Sequence, residues 1–318
     1  MIFRKDRVFI FNPYRILNLP LLFNYRNIRN HFGTRVLTQK IFGSKLAYRM
    51  LAYFKGRKYK AFKNNISELP LKHVEIETIN RCNNTCVFCP VNKNDDPREL
   101  ALMDDDLFIK IIDELAELDY AGELTLYSNN EPLLDKKLAE RIGIARQKCP
   151  KAFIYIITNG TLLDLNKTLQ ILEAGIDKIV INQYDDSLKL NNSLLSIVKG
   201  LENSEHRHYC NKITIILRRA HEILDNRAGV APNKGTDKFD YYKYFANIAC
   251  MYPFVEIIIR PDGKVSMCCK DALGRMTLGD LSKQTLMEVW KGTELRSVRE
   301  TLLNGGRKGI DICRYCDS

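Results

Sequence analysis

The sequence predicts an α/β fold with a parallel sheet, followed by a small domain at the carboxyl end of the chain. Two observations lead to this fold class. Apolar strand-like runs alternate with helical patterns over residues 73–219, which is typical of βα units in a parallel sheet. The alternation stops in the connecting residues 220–249, and a hairpin pattern with several cysteines follows in residues 250–318. The βα units predict a complete or partial barrel.

The first predicted strand, His73–Ile79, is followed by four helix–strand pairs. Each pair is a helical pattern and then an apolar run: Asp104–Leu118 with Glu123–Tyr127, Leu134–Gln147 with Ala152–Ile157, Leu163–Ala174 with Lys178–Asn182, and Ser193–Leu201 with Ile213–Leu217. Parallel barrels bind their ligands at the carboxyl ends of the strands. We therefore expect the functional residues where these five strands end.

Residues 250–318 predict a small hairpin-plus-helix domain. Two apolar runs, Val255–Arg260 and Val265–Cys268, flank a turn at Pro261–Lys264, and a helical pattern covers Thr285–Leu303. The core of so small a domain is weak by itself, and its cysteines come from both of its ends. We therefore expect a bound metal group to stabilise it.

The composition excludes disordered and membrane-spanning classes. The chain has 318 residues, of which 45% are apolar and 27% are charged, so it is long enough to bury a core. It contains no apolar run of about 18 residues, and the run Val8–Phe11 is too short for a secretory signal. The sequence therefore predicts a cytoplasmic protein.

Residues 1–72 form a basic amino-terminal extension, with 16 Lys and Arg against 2 Asp and Glu. One interpretation is a solvated extension that has helical character over Lys45–Phe62. The other is an arm that associates with a membrane surface or an anionic carrier, because clustered basic residues attract acidic lipids and phosphates. No specific nucleic-acid partner is expected.

Ten cysteines are unusual in a reducing compartment, where disulfides are rare, and they indicate metal or redox chemistry. Cys82, Cys86 and Cys89 follow the first strand. Three thiolates on one loop can bind three irons of a four-iron cluster and leave the fourth iron open to a chelating small molecule. Zinc is the alternative, although zinc sites prefer four ligands. Cys149 and Cys210 are interpreted as buried apolar thiols.

A second group of cysteines has the spacing of a closed metal site, and it comprises Cys250, Cys268, Cys313 and Cys316. Four thiolates are enough for a complete [4Fe–4S] site, and a four-cysteine zinc site is the alternative. Cys269 competes with Cys268 as a ligand. Because adjacent strand residues face opposite ways, only one of the two suits the site.

The segment Cys82–Cys89 resembles the C-x3-C-x-aromatic-C signature of the radical S-adenosylmethionine (SAM) superfamily, with Phe88 as the aromatic residue. Ser128–Leu134, after the second strand, is similar to the G-G-E-P motif of that superfamily, although asparagines replace both glycines. Thr158–Gly160, after the third strand, matches its T-N-G motif. Asn tolerates positive φ, so we expect the altered turn to form.

This resemblance implies a partial or complete (β/α)6-type radical SAM barrel over residues 73–219, outside which the basic extension lies. The first three cysteines would ligate a [4Fe–4S] cluster whose open iron is chelated by SAM. Glu131 would accept a hydrogen bond from the SAM amine, and Phe88 would lie near the adenine. The other residues implied in SAM binding are Thr158, Asn159, Asn182, and Arg218 or Arg219.

The carboxyl-terminal domain resembles the auxiliary-cluster modules called SPASM or twitch domains. Asp262–Cys268 is similar to their D-G-x-V-x-x-C hairpin, and Leu278–Asp280 with Trp290 fits their L-G-[ND]…W stretch. The resemblance implies a second [4Fe–4S] cluster on the second group of cysteines. Their spacing is similar to that of single-auxiliary-cluster dehydrogenases that oxidise an alcohol of an aminocyclitol.

The implied function is that of a radical SAM oxidoreductase, which generates a 5′-deoxyadenosyl radical, removes a substrate hydrogen and passes an electron to the auxiliary cluster. A sugar-, cyclitol- or polyol-like substrate is favoured, and a flavodoxin- or ferredoxin-type protein would supply the reducing electron. Deprotonation of the alcohol needs a base or a cationic neighbour. The candidates are Asp225, Arg227, Asp271 and Arg275.

Two alternatives stay open. The same two-cluster plan serves enzymes that modify ribosomally made peptides and enzymes that epimerise sugars. A different class is a non-catalytic zinc- or iron-binding adaptor that attaches to membrane or nucleic acid through the basic arm. Metal content separates the classes, because two four-iron clusters predict about eight irons per chain.

Overall fold

The computed structural model describes residues 8–11, 66–203, 205–221, 225–232 and 242–316. The strands within them are β1 (Phe9–Phe11), β2 (His73–Ile76), β3 (Glu123–Thr125), β4 (Phe153–Thr158), β5 (Lys178–Tyr184), β6 (Ile213–Arg218), β7 (Glu256–Ile259), β8 (Lys264–Ser266) and β9 (Thr277–Asp280). The helices are α1 (Asp105–Glu117), α2 (Leu138–Lys148), α3 (Leu165–Glu173), α4 (Asn192–Glu202), α5 (Tyr242–Phe245), α6 (Tyr252–Val255), α7 (Leu286–Lys291) and α8 (Thr293–Gly305).

These strands form one sheet in the order β1-β6-β5-β4-β3-β2-β7-β8-β9. The neighbours from β1 to β7 in that order are parallel, whereas β8 pairs antiparallel with both β7 and β9. The predicted parallel sheet and carboxyl-terminal hairpin are therefore confirmed. Because β1 and β9 are the two edges of this sheet, the described strands form a partial barrel.

Helices pack against one face of the parallel sheet, which we call the outer face. Val74 and Ile76 of β2 have no exposed surface and belong to the same apolar core as Phe108 and Ile111 of α1. The side chain of Asp104 begins α1 by accepting a hydrogen bond from a backbone N–H of its first turn. The periodic apolar residues of the strands and helices therefore build the core that the sequence predicts.

The opposite face of the sheet, which we call the inner face, carries polar side chains. Strand residues alternate between faces, so His73 and Glu75 point away from the apolar core. The register places Thr125 beside Glu75 and Tyr155 beside Thr125. The register extends this face through Lys178, Asn182, Tyr184, Arg218 and Glu256. A polar surface at the centre of a barrel offers contacts to a ligand.

Three features differ from the expectation. Phe9–Phe11, within the predicted extension, pair with β6 as an edge strand. Strand β7 pairs with β2, so the hairpin continues the barrel sheet. The helix predicted over Thr285–Leu303 is divided into α7 and α8, because Gly292 is extended at ψ 164° and a Cβ there would lie 2.6 Å from the carbonyl oxygen of Glu288.

The predicted helix Lys45–Phe62 lies outside the described residues. The domain boundaries at residues 72, 219 and 249 stay a prediction. Within the described part of the chain, no helix combines the length and the apolar character needed to cross a membrane.

Candidate active site

The first three cysteines lie on the loop between β2 and α1, and all of them line an open cavity of about 570 Å³. The backbone N–H of Cys89 donates to the carbonyl oxygen of Cys86 at 3.1 Å, which closes the loop into a tight turn. Burial raises the pKa of Cys82 to about 11 and that of Cys86 to about 12. Three sulfur donors in one cavity wall fit an iron–sulfur group with one open iron.

Glu131 follows β3 and is 1% exposed, yet it borders the same cavity. Its carboxylate accepts hydrogen bonds from the Thr158 hydroxyl at 2.6 Å, the Asn159 backbone N–H at 2.8 Å and the Leu133 backbone N–H at 3.1 Å. Burial nevertheless raises the pKa of Glu131. The T-N-G turn therefore orients a carboxylate to which the described residues provide no positive partner, which suits the amine of a ligand.

The two asparagines in the altered motif make contacts that glycines cannot make. Neither residue has positive φ, so the turn does not need the conformational tolerance that we expected to preserve it. The side-chain oxygen of Asn129 accepts a hydrogen bond from Nη1 of Arg227 at 3.2 Å. The Asn130 amide nitrogen is buried at the cavity, and no residue in the described part of the chain accepts a hydrogen bond from it. An acceptor on a bound molecule would satisfy that donor.

The other residues implied in SAM binding divide into two groups. Phe88 and Asn182 line the cavity, and the Phe88 ring lies 5.5 Å from the ring of Tyr184. Arg218 is buried and does not line the cavity, but its Nε donates to the side-chain oxygen of Asn182, a residue of the cavity wall, at 2.7 Å. Arg219 is exposed and does not line the cavity.

Among the four candidate catalytic residues, Arg227 lines the cavity and Asp225 lies behind it. Arg227 has a φ of 47° and Ala228 one of 52°, a conformation that costs energy for residues other than glycine. Burial opposes ionisation of Asp225, but the charges of Lys270 and Arg227 hold its pKa well below the usual range. The Lys270 ammonium lies 2.9 Å from Asp225.

Asp271 and Arg275 are engaged in the turn after β8. The buried Asp271 carboxylate accepts hydrogen bonds from the backbone N–H groups of Arg275 and Met276, both at 2.9 Å. The Arg275 guanidinium donates to the carbonyl oxygen of Ala228 at 2.8 Å. Neither residue lines the cavity. These contacts connect the hairpin to the segment that carries Arg227.

Sequence reasoning missed a buried polar group on the inner face. Nδ1 of His73 lies 3.7 Å from a carboxylate oxygen of Glu75 and 3.6 Å from one of Glu256. The Ser128 hydroxyl, at the cavity wall, donates to Glu75 at 2.7 Å. The available signal was the alternation of polar residues with Val74 and Ile76 in β2, which indicates a polar inner face.

The four cysteines of the second group are all buried and lie together. Burial raises the pKa of Cys268 well above its usual range, and the thiols of Cys250, Cys313 and Cys316 add to this effect. Cys269 instead lies near Glu256 and Lys270. Four gathered thiols fit a closed iron–sulfur site, and the geometry favours Cys268 over Cys269 as its ligand.

Comparison with known proteins agrees with these two sites. Residues 76–187 match the family model of the radical SAM superfamily, and residues 250–317 match that of SPASM, an iron–sulfur cluster-binding domain. A S-adenosyl-L-methionine-dependent 2-deoxy-scyllo-inosamine dehydrogenase from Niallia circulans is 26% identical over 77% of this chain and 92% of its own length. A PqqA peptide cyclase from Granulibacter bethesdensis is 33% identical over 34% of this chain and 28% of its own.

A solved structure agrees as well. The crystal structure of BtrN in complex with AdoMet and 2-DOIA has a TM-score of 0.66 and 26% identity, covering 78% of this chain and 94% of that one. The radical SAM domain binds a [4Fe–4S] cluster and SAM, and the SPASM domain adds auxiliary iron–sulfur binding. With both domains in this order, the chain belongs to the radical SAM superfamily and is a radical SAM enzyme that ends in a SPASM domain.

Proposed function

We propose that this enzyme oxidises a secondary alcohol of a small polyhydroxylated ring, of the cyclitol type, to a ketone. The observation that carries the proposal is the wall of the cavity. The cysteine loop lines one part of it, and the polar residues Tyr127, Ser128, Asn129 and Arg227 line another. Hydroxyl groups on a ring need several such hydrogen-bonding partners.

The path from the cavity to the auxiliary site also supports an oxidation. Arg227 lies 3.8 Å from Asp225, which binds Lys270 at 2.9 Å, and Lys270 follows Cys268 by two positions. When bound, SAM and its cluster supply hydrogen-atom abstraction and the auxiliary cluster accepts an electron. A substrate at Arg227 would therefore lie between the two groups of cysteines.

The residues of the chain orient the reactants. Glu131, fixed by Thr158 and Asn159, binds the amine of SAM, and Asn130 donates its free amide hydrogen to an acceptor of the ligand. The Arg227 guanidinium stabilises negative charge that develops on the alcohol oxygen. Asn129 restricts Arg227 to this position.

A small substrate is favoured over a peptide. The cyclitol dehydrogenase matches 77% of this chain, whereas the peptide cyclase matches 34%. The match to the dehydrogenase is long enough to include both cysteine groups. The proposed activity therefore follows the relative that matches the larger part of this chain.

The proposal includes two partners. A flavodoxin- or ferredoxin-type protein supplies one electron, and the basic residues 1–72 contact an anionic carrier or a membrane surface. Co-sedimentation with phosphatidylserine vesicles tests the second contact. Binding should weaken as salt rises, and salt-independent binding would contradict an electrostatic arm.

The direct test uses anaerobically purified enzyme, dithionite, SAM and 2-deoxy-scyllo-inosamine deuterated at its ring carbons. We expect deuterium in the 5′-deoxyadenosine product together with an equivalent of ketone. The triple variant Cys82→Ala, Cys86→Ala, Cys89→Ala is the control, and it should keep auxiliary iron while forming no 5′-deoxyadenosine. Unlabelled 5′-deoxyadenosine from the wild-type enzyme, without ketone, would exclude this substrate class.

A further inference from the structure

We propose that Glu75 accepts the hydroxyl proton of the substrate and that His73 relays this proton toward Tyr155. The inference rests on the proposed function, and it assigns a proton acceptor that none of the four candidate catalytic residues provides. It follows from the inner-face group of Glu75, His73 and Glu256 and from its contact with the cavity wall. We call this group the inner-face triad.

The fold places the triad directly behind the cavity. Glu75 of β2 pairs with Thr125, the last residue of β3, and its Oε2 accepts the hydrogen bond from Ser128, which follows that strand. Ser128 and its neighbour Tyr127 line the cavity. A substrate hydroxyl at this wall can therefore pass its proton to the carboxylate through the Ser128 hydroxyl.

Behind Glu75, the polar contacts continue across two strands. Nδ1 of His73 faces both carboxylates of the triad, at 3.7 Å and 3.6 Å. Its Nε2 lies 2.7 Å from the Thr125 hydroxyl and 3.3 Å from the Tyr155 hydroxyl. Tyr155 is partly exposed, whereas His73 and Glu75 are buried. The imidazole can thus take a proton on one nitrogen and release one from the other.

The charges around the triad leave room for one mobile proton. Glu75 faces the charges of Glu256 and Lys270, and Glu123 also acts on His73, so the carboxylates outnumber the permanent cation and favour a proton on the triad. Burial raises the pKa of Glu75 to about 7, although the charge of His73 lowers it. A base is most effective when its pKa lies near the working pH.

The step is balanced in atoms and electrons. The O–H bond breaks, its proton goes to Glu75, and the carbon–oxygen double bond forms. The hydrogen atom on carbon would be taken up by the abstraction that bound SAM and its cluster supply, and the remaining electron would go to the auxiliary cluster. The proton then passes from Glu75 to His73 while Nε2 releases one through the partly exposed Tyr155 hydroxyl to solvent, which returns Glu75 to its ionised form.

The test compares Glu75→Gln with Glu123→Gln. Glu123 is a matched control, because it lies on the inner face at the same register position as His73, and its charge also raises the pKa of His73. With ring-deuterated 2-deoxy-scyllo-inosamine, the Glu75 variant should still transfer deuterium to 5′-deoxyadenosine. Its ketone yield should fall on the order of 100-fold, the usual contribution of a general base. The control should stay near the wild-type yield.

Infrared difference spectra provide a readout that does not depend on turnover. A buried protonated carboxyl at Glu75 should contribute to the carbonyl-stretch band of the wild-type protein below about pH 7. Because burial also raises the pKa of Glu77 to about 7 and raises that of Glu131, the signal is the part of this band that Glu75→Gln loses and Glu123→Gln keeps. A band of wild-type intensity in the Glu75 variant would overturn the assignment even if that variant binds no cluster.

Three other results would also overturn the relay. The first is a ketone yield of Glu75→Gln that equals the wild-type yield. The second is an equal loss of ketone yield in Glu75→Gln and Glu123→Gln. The third is one equivalent of a divalent metal other than iron that the wild-type protein binds and His73→Gln does not. The last would make the triad a metal site. By contrast, failure of the wild-type enzyme to transfer deuterium contradicts the proposed function, while the infrared band still tests Glu75.

Discussion

Replacing Glu131 by Gln tests the SAM site at the residue on which its polar contacts converge. Wild-type Glu131 is 1% exposed, and its carboxylate accepts three hydrogen bonds, all from neutral donors. The amine of SAM is therefore its expected counter-charge. Glutamine keeps the shape of the side chain but removes the charge. Its NH2 group cannot accept a hydrogen bond, so it would face one of the donors that the carboxylate now satisfies.

Removing one partner of a buried, hydrogen-bonded charge pair costs about 2–5 kcal/mol. Since each 1.4 kcal/mol is a factor of ten, the dissociation constant of SAM should rise roughly 30-fold or more. Equilibrium dialysis on the anaerobically reconstituted protein measures this change. 5′-Methylthioadenosine is the matched control ligand, because it keeps the nucleoside and lacks the amino-acid group.

We expect the affinity for 5′-methylthioadenosine to be equal in the wild-type and Glu131→Gln proteins. An equal loss for both ligands would show a collapsed cavity, and unchanged SAM affinity would refute the amine contact. The ligand-free protein provides a second test, which is the direction in which its stability changes with pH. Because burial raises the pKa of Glu131, the wild-type protein loses stability as pH rises above the ordinary glutamate value, and the variant lacks this loss.

Three further predictions concern the carboxyl-terminal domain. Cys268→Ala should lower iron content by about four atoms per chain, whereas Cys269→Ala should leave it unchanged; the reverse pattern in an iron assay would exchange the two roles. Trp290→Phe should lower the free energy of unfolding by about 1–3 kcal/mol, because its indole N–H donates to the buried carbonyl oxygen of Leu69 at 2.8 Å, and an unchanged urea midpoint would contradict this. Gly292→Ala should also lower that midpoint, because the added Cβ meets a carbonyl oxygen of α7 at 2.6 Å; wild-type stability would show that the helix junction can shift.

The order of helices and strands could be predicted because it follows local periodicity. The predicted helices Asp104–Leu118 and Ser193–Leu201 differ from α1 and α4 by one residue at each end. The pairing of β1 with β6 could not be predicted, since the partners are about 200 positions apart and a short apolar run has no unique partner. The same holds for β7, whose hairpin pattern is identical whether or not it also pairs with β2.

The motifs predicted the cysteine ligands and Glu131, because each is a reactive residue type at a recognisable spacing. They did not identify the inner-face triad. Its members His73 and Glu256 are far apart in the chain, and a single polar residue in a strand is ordinary. Asp271 and Arg275 show the opposite case, in which suitable residue types serve the backbone of a turn instead of the cavity.

The sequence by itself determined that this chain gathers two groups of thiols around a parallel sheet, because ligand type, spacing and periodicity are local properties. Only the tertiary structure decided which polar side chains face the cavity. It directed Cys268 toward the other thiols, placed Arg227 against Asn129, and put Glu75 behind Ser128. The positions of these side chains depend on strand register and on which face of the sheet the helices cover. Both are set by packing between distant segments.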